Sequence, residues 1–353
     1  MKRKLLYIMG IDWEWIYQRP QILAEKLKND YDVTVVFPRS VLAGKIRLPI
    51  VKDMRFRILW TLPYQERNTF IFAISRLMNK GKMDDFESFD VIFLGYPHYF
   101  RYVTKEYKGV LVYDCMDDHE ELYPDRKRVD RVIQQETALA HDCDILFTSS
   151  KHLMDKMHAL SGSEKGILVR NATEILNCQT PASAMVKREY TITYIGTISN
   201  WFDMELIKNS LKKVDRIRYR LIGPYNKKEK SERIEFCGVL SHESLADEAQ
   251  RSDCLIMPFC LNAVVKAIDP VKLYEYIAFG RCIISIYYPE VERFEDFVYF
   301  YKNEEDYCML LEELKQKGFP PKYTEKQQRE FLKENTWDKR YEQIRKALKN
   351  TKM

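Results

Sequence analysis

Short apolar runs of strand length alternate with helical patterns along this chain, and that alternation leaves few folds open. Strand-like runs fall at Lys4 to Ile11, Asp32 to Phe37, Phe56 to Leu62, Asp90 to Tyr96, Gly109 to Asp114, Asp144 to Ser149 and Gly166 to Val169. Between many of them lie helical patterns: Pro20 to Asn29, Phe70 to Lys80, Asp125 to Asp142 and Lys151 to Leu160. Parallel strands need crossover connections, so this order predicts an α/β protein with parallel sheets covered on both faces. From Ala172 to Glu189 the periodicity stops, and Thr180-Pro181-Ala182-Ser183 reads as linker. The alternation then restarts with strand Thr191 to Ile195, helix Met204 to Val214, strands Tyr219 to Ile222 and Ile234 to Cys237, helix Glu243 to Gln250 and strand Cys254 to Pro258. The expectation is two doubly wound domains, residues 1–182 and 183–330. Ligands in such folds bind outside the carboxyl ends of the strands, which points to the cleft between the domains. The last segment, Thr324 to Asn350, is charged and helical, with Trp337 at its middle. It either packs on its own domain or crosses back to the first.

Asp269-Pro270-Val271-Lys272-Leu273-Tyr274-Glu275-Tyr276-Ile277-Ala278-Phe279-Gly280 reads as a proline-started helix that stops at a glycine, and the run Arg281 to Ser285 after it reads as a buried strand. The first amides of a helix lack intrahelical acceptors and the dipole is positive there, so a phosphate fits at Val271 and Lys272. Glu275 lies one turn on from Lys272. The second half opens with Tyr194-Ile195-Gly196-Thr197-Ile198-Ser199-Asn200-Trp201, where a strand ending in Gly196-Thr197 lets backbone amides approach a phosphate, with Ser199 and Asn200 at hand. A glycine after a strand is also an ordinary turn.

Three loops of the first half carry polar chemistry. Gly10 to Pro20 holds Asp12, Trp13, Glu14, Trp15, Tyr17 and Arg19 over the end of the opening strand. Tryptophans stack on sugar faces or lie at membrane interfaces, and Asp12, Glu14 and Arg19 suit hydroxyls or a phosphate. Tyr113-Asp114-Cys115-Met116-Asp117-Asp118-His119-Glu120-Glu121 ends another strand. Asp117 or His119 has the chemistry to take a proton from an acceptor hydroxyl, and Asp118 to hold substrate hydroxyls. Neighbouring acids also suggest a metal or a helix cap, but on an extended chain Asp117 and Asp118 point opposite ways. His98, in Gly95-Tyr96-Pro97-His98-Tyr99, is either a substrate contact or a structural histidine.

Composition narrows the classes. The chain is 46% hydrophobic and 31% charged, which excludes disorder, and a net charge of +5 leaves only a mild bias toward anionic partners such as an acidic lipid surface. Eight cysteines occur without C-x-x-C spacing, as in a reducing compartment, so a cytoplasmic protein is expected. The run Leu5 to Ile11 is too short for a membrane span or a signal core. P-loop, G-x-S-x-G, H-E-x-x-H, G-x-G-x-x-G and zinc-cluster signatures are missing, as are short nucleic-acid-binding motifs, so no nucleic acid, cofactor or metal is expected.

In order along the second half stand Gly196-Thr197, Leu221-Ile222-Gly223-Pro224, Glu235-Phe236-Cys237-Gly238-Val239-Leu240, Ser252-Asp253 with Pro258, and Glu275-Tyr276-Ile277-Ala278-Phe279-Gly280-Arg281-Cys282-Ile283-Ile284. This series resembles the donor-binding domain of the large retaining family of GT-B glycosyltransferases that build bacterial surface polysaccharides. The opening Trp13-Glu14-Trp15 with Gln18 to Gln21 and the Tyr113 to Asp118 stretch look like teichuronic-acid and exopolysaccharide transferases. Ile167 to Asn171 and Ser149-Ser150 resemble elements of the family's first domain. Asn335-Thr336-Trp337 resembles its closing segment, which implies that residues 331–353 return to the first domain. Many members carry two glutamates separated by seven residues; the second corresponds to Glu275, and Ala267 stands in place of the first.

The resemblance implies two Rossmann-like domains facing across a cleft and a metal-independent transfer from a nucleotide-sugar donor, UDP-linked by expectation, to a lipid-linked or oligosaccharide acceptor at the membrane face. It implies Lys272 on the diphosphate, with amides near Val271 and Gly196, Glu275 on the ribose, and backbone from Cys237 through Gly238, Val239 and Leu240 at the base. Asp117, His119 and Lys272 are the catalytic candidates; Asp12, Trp13, Glu14, Arg19, His98 and Asp118 are the acceptor candidates. A nucleotide-sugar epimerase or polyol-phosphate transferase of the same fold stays open, as does a non-catalytic subunit that recognises glycan or lipid headgroups.

Overall fold

The computed structural model describes residues 2–44, 48–103, 105–123, 125–174, 186–225 and 231–351. The chain divides into two compact units, Met1–Asn171 with Trp337–Met353, and Ala172–Thr336. The expected boundary at 182/183 and the Thr180 to Ser183 linker lie outside the described residues.

In the first unit, strands β1 (Arg3–Ile8), β2 (Tyr31–Ser40), β3 (Met54–Thr61), β4 (Val91–Leu94), β5 (Val110–Cys115), β6 (Ile145–Thr148) and β7 (Gly166–Leu168) form one sheet in the order β3-β2-β1-β4-β5-β6-β7. All its pairings are parallel. Every residue of β4, β5 and β6 is buried, as expected of parallel strands covered on both faces. The helices are α1 (Arg19–Leu27), α2 (Thr69–Met78), α3 (Arg126–Asp142) and α4 (Lys151–Ser161). Local chemistry sets their ends: the Asn68, Asp125 and Ser150 side chains accept first-turn amides, and Gly162, at φ +65°, closes α4. Strand order reverses between β1 and β4, so their carboxyl ends flank a switch point.

One buried ion pair ties this unit together. Arg19 opens α1, and its guanidinium donates through Nε and Nη2 to both Asp114 oxygens, at 2.9 and 2.6 Å, while Nη1 donates to the Val169 carbonyl at 2.7 Å. A helix start, a central strand and the chain beyond β7 thus meet at one cation.

The second unit holds β8 (Tyr190–Ile195), β9 (Ile217–Ile222), β10 (Ile234–Gly238), β11 (Cys254–Met257), β12 (Cys282–Ile286) and β13 (Tyr299–Tyr301), all parallel, in the order β10-β9-β8-β11-β12-β13. Its helices are α5 (Met204–Lys213), α6 (His242–Gln250), α7 (Ala263–Ala267), α8 (Val271–Ala278), α9 (Glu304–Lys317) and α10 (Glu325–Glu334). Within the core, the hydroxyls of Ser210, Tyr219 and Tyr307 are joined by contacts of 2.7 and 2.8 Å. Here the order reverses between β8 and β11.

The terminal segment, expected as one helical stretch, is two helices. α10 ends at Asn335, whose backbone leaves the helical region, and Thr336 pairs with Thr173 in a parallel bridge. Then α11 (Trp337–Asn350) buries Trp337, Tyr341, Ile344 and Leu348 and packs against α1 in the first unit, as a crossing helix should. Tyr341 donates its hydroxyl to Asp30 at 2.6 Å, and Arg340 donates to the Arg170 carbonyl at 3.1 Å.

Replacing Arg19 by Ala strands the buried Asp114 carboxylate. Urea unfolding should report a loss of about 3–5 kcal/mol, in the range for breaking one side of a buried pair, whereas loss of the exposed Lys26–Asp338 contact should cost less than about 1 kcal/mol.

Candidate functional site

In the second unit, the elements singled out in the sequence converge at the carboxyl ends of β8, β9 and β10. Each strand ends at a glycine with positive φ: Gly196 at +152°, Gly223 at +139° and Gly238 at +73°. The Gly196 amide donates to the Ile222 carbonyl at 2.8 Å, and the Gly223 amide to the Gly238 carbonyl at 2.7 Å, so the three turns lie side by side. A Cβ on Gly223 would collide with the Gly196 carbonyl, and a Cβ on Gly196 would collide with Cε and Nζ of Lys272. The lysine of α8 therefore fills the space that glycine leaves at the end of β8. One expectation changes: the Gly196 amide belongs to the strand ladder and has no hydrogen left for a phosphate, while the Thr197 amide has no acceptor among the described residues.

Helix α8 is pinned in this position. Tyr276 Oη accepts the Ile195 amide at 2.9 Å and reaches the Ile256 carbonyl at 3.3 Å, which fixes the helix to β8 and β11. Gln328 Nε2 donates to the Ile277 carbonyl at 2.6 Å from α10, and Gly280, at φ +69°, ends the helix as its sequence predicts. Asp269, just ahead of the helix, is buried and paired with Arg293 and Tyr274, so its charge is already matched where an anion would approach. Pro270 caps the helix without a side-chain bond, and the amides of Val271 and Lys272 have no acceptor among the described residues.

The Lys272 ammonium lies 5.7 Å from the Tyr194 ring centroid and makes no ion pair within 4.0 Å among the described residues. Desolvation pushes its pKa below the usual lysine value, and the Glu275 charge partly offsets that shift. An incompletely neutralised cation beside open amides attracts a polyanion. Glu275 is half-buried on the same helix. Ser199 bonds Asn200 at 3.1 Å at the loop surface, and Cys237 and Leu240 are half-buried while Val239 is 72% exposed at the sheet edge. Ala267 is buried at the end of α7, so no acid stands at that position.

The first-unit candidates separate into free and committed groups. Asp117 is half-buried with no hydrogen-bond partner for its carboxylate among the described residues. Burial, then the charges of Asp114 and Asp118, raise it to about 6, with Arg19 acting the other way. Asp118 instead pairs with Lys156, lies 3.6 Å from His152 Nε2, and accepts the Glu120 amide at 3.1 Å. His119 is buried edge-on against Tyr96, 5.1 Å between centroids, with both ring nitrogens unpartnered, and burial lowers it to about 3. Two acceptor assignments need correction. His98 is wholly buried, joined to Gln135 at 3.0 Å and packed on Phe72, with burial lowering it to about 4, so no substrate reaches it here. The Arg19 donors are all engaged by Asp114 and by acceptors from Val169 to Asn171, which leaves a positioning role.

In the opening loop, Trp13 packs edge-on against Phe56 at 4.8 Å, and Arg39 joins Glu14 at 2.8 Å and Asp12 at 3.7 Å. Trp15, 65% exposed, is the indole that offers a free face. A cleft of about 440 Å³ opens beside this loop, lined by Gly10, Tyr64, Glu66, Arg67, Tyr123 and Arg128 among others. Arg67 and Arg128 stack on Tyr64 and Tyr123 and pair with Asp125 and Glu66, a mix of aromatic faces and forked donors that suits a polyhydroxylated ligand. Sequence reading passed over these residues, and the only local signal was the aromatic and charged density of Tyr64 to Arg67. Among the described residues, no group of three or more His, Cys, Asp or Glu is arranged to hold a metal ion.

Residues 204–346 match the family model described as glycosyl transferase-like. No curated protein sequence matches the chain. Among solved structures, sucrose-phosphate synthase from Thermosynechococcus elongatus superposes with a TM-score of 0.72 at 11% identity over 98% of each chain. Anabaena HepE, in complex with UDP and glucose, gives 0.66 at 11% identity over 99% of this chain and 100% of that one. The lipopolysaccharide outer core galactosyltransferase WaaB, in its apo form, gives 0.69 at 10% identity over 98% and 99%. At such identity the shared property is the fold.

The buried, neutral His119 carries a sign for stability. Its folded pKa of about 3 lies below the ordinary 6.5, so its contribution is full above pH 6.5 and is lost as pH falls toward 3. Between pH 6.5 and about 5 the urea midpoint of the wild type should fall more than that of His119→Leu.

Proposed function

We propose that this chain, whose residues 204–346 match the glycosyl transferase-like family model and whose fold is that of the GT-B structures it resembles, is a glycosyltransferase that moves a sugar from a UDP-linked donor to a lipid-linked or oligosaccharide acceptor in the synthesis of a cell-surface polysaccharide. The observation that carries the reading is the Lys272 ammonium seated over Gly196 beside the open amides of Thr197, Val271 and Lys272. UDP is the nucleotide in the HepE complexes, and WaaB is a lipopolysaccharide outer core galactosyltransferase. No helix among the described residues is long and apolar enough to cross a membrane.

The chemistry follows from charge. When the bond from the anomeric carbon to the diphosphate oxygen breaks, its electron pair stays with the diphosphate, and the acceptor hydroxyl forms the new bond and gives up its proton. Lys272 and the helix-start amides hold the diphosphate and stabilise the growing negative charge; Glu275 takes the ribose hydroxyls, and the backbone from Cys237 to Leu240 faces the base. That charge stabilisation needs no metal ion. In the first unit, Asp117 is mostly ionised at pH 7 and has no competing partner, which suits it to receive the acceptor proton. His119 stays neutral across the working range and offers a hydrogen bond rather than a charge. Trp15, Trp13 and the cleft beside them suit the acceptor sugar.

Three outcomes follow. Lys272→Ala should lower kcat with a UDP-sugar by about 10²–10³-fold, the effect of removing one fixed electrostatic donor, with activity of the wild type unchanged by EDTA. Gly196→Ala should displace the Lys272 side chain and reduce the melting-temperature gain produced by UDP while leaving the apoprotein folded. The kcat/KM profile should rise with pH through about 6 as Asp117 ionises, and Asp117→Asn should remove that limb. Unchanged donor binding and turnover in both Lys272→Ala and Glu275→Ala would refute the donor assignment.

A further inference from the structure

The loop that carries Asp117 is tied down on both sides of that residue. Ser149 Oγ donates to the Met116 carbonyl at 3.1 Å, and Cys115 Sγ approaches the Asp117 carbonyl at 3.7 Å. Asp118 heads the turn that follows: its side chain accepts the Glu120 amide at 3.1 Å, and its carbonyl accepts the Glu121 and Leu122 amides at 3.2 Å. From α4, Lys156 grips the Asp118 side chain and reaches Glu120 at 3.2 Å, while His152 Nε2 lies 3.6 Å from the other Asp118 oxygen.

A third carboxylate faces the same ammonium. Glu136 of α3 is 1% exposed, takes the Tyr113 hydroxyl on Oε1 at 2.5 Å and buries Oε2 without a hydrogen-bond partner among the described residues. Burial raises its pKa to about 7, and Tyr113 and then Lys156 pull the other way. Burial also works against the Lys156 charge, but Asp118, Glu136 and Glu120 outweigh it and hold its pKa above the ordinary lysine value. Lys156 is thus a lasting cation, 16% exposed, among acids that repel one another without it. Around Asp117 stand Asp114 and Cys115 of β5, Asp118 in its own loop, Arg19 of α1 and the Tyr123 hydroxyl. Arg19 is engaged by Asp114, so the cation in contact with Asp118 is Lys156.

We propose that Lys156 is the positioning residue of this loop: by holding the Asp118 side chain to α4 and cancelling its charge, it keeps the neighbouring Asp117 carboxylate ionised and without a partner. Its purpose rests on the proposed role of Asp117 in taking the acceptor proton, but its test needs no glycosyl transfer. An uncompensated negative charge beside an acid favours the protonated form, so loss of Lys156 should move the Asp117 midpoint upward. The full chain, labelled with carboxyl-13C aspartate, is titrated by NMR, and the Asp117 signal is identified by its loss in Asp117→Asn. The expected result is a midpoint raised by about one unit in Lys156→Met and, in Lys156→Arg, within about 0.3 unit of the wild type. Lys156→Gln takes the place of Lys156→Met if the latter does not fold. Asp118→Asn should lower the midpoint, a direction that loosening of the loop alone does not produce. Lys156→Met added to Asp118→Asn should then give less than about half of the rise, because the lysine acts through Asp118. An unchanged midpoint in Lys156→Met, an equal rise in Lys156→Arg, or a raised midpoint in Asp118→Asn would overturn the proposal. If Asp117 titrates as stated while turnover of a UDP-sugar ignores its ionisation, the proton-taking role falls and the positioning role stands.

Discussion

A lysine ammonium held in the space of a missing Cβ, with no counter-ion in contact among the described residues, is the constraint on which the second unit depends. At Gly196 a Cβ would have to push aside the end of the Lys272 side chain and adopt a φ of +152°, and Gly223 must be glycine because the Gly196 carbonyl, which is backbone and cannot yield, stands where its Cβ would lie. Tyr276 then fixes the depth of α8 against β8 and β11, and Asp269, already matched by Arg293, keeps a bare carboxylate away from the helix start. The cation and the open amides are thereby fixed before any ligand arrives, and such preorganisation makes an electrostatic donor effective.

The first unit uses a cation differently. Arg19 is buried and its partners are internal, so it joins α1, β5 and the chain beyond β7 instead of facing a ligand. By occupying Asp114, it leaves the neighbouring Asp117 as the carboxylate without a partner, with a pKa raised by burial and by the charge of Asp114. One buried ion pair thus divides adjacent acids into a structural member and a chemically available one.

Much of this was legible in the sequence, for physical reasons that differ by element. Parallel strands buried on both faces must read as continuous apolar runs, so β1, β4, β5, β6, β8, β11 and β12 stand out. The α8 helix announces itself through Pro270 and Gly280, residues with sharp backbone preferences. Less legible were α7 and β13, which are too short to show a period, and the break between α10 and α11, which depends on Thr336 pairing with Thr173 far away in sequence. Residue type singled out Lys272, Glu275 and Asp117 as candidates, but hydrogen-bond allocation is a property of three-dimensional packing. No spacing rule shows that Arg19 faces Asp114, that His98 lies in the core, or that the Gly196 amide belongs to the ladder. The orientation of α2 was equally illegible, because an apolar stripe ordinarily points inward and here Ser75 and Asn79 face β3 instead.

The central claim, that Lys272 and the start of α8 hold the diphosphate of a UDP-linked donor, is tested most directly by a crystal structure of the UDP complex. The account predicts both phosphates at the end of β8, in hydrogen-bond reach of Lys272 Nζ and the amides of Thr197 and Val271, with the ribose at Glu275 and the base along Cys237 to Leu240. UDP bound elsewhere, or a diphosphate at this position that leaves Lys272 Nζ without contact, would contradict it.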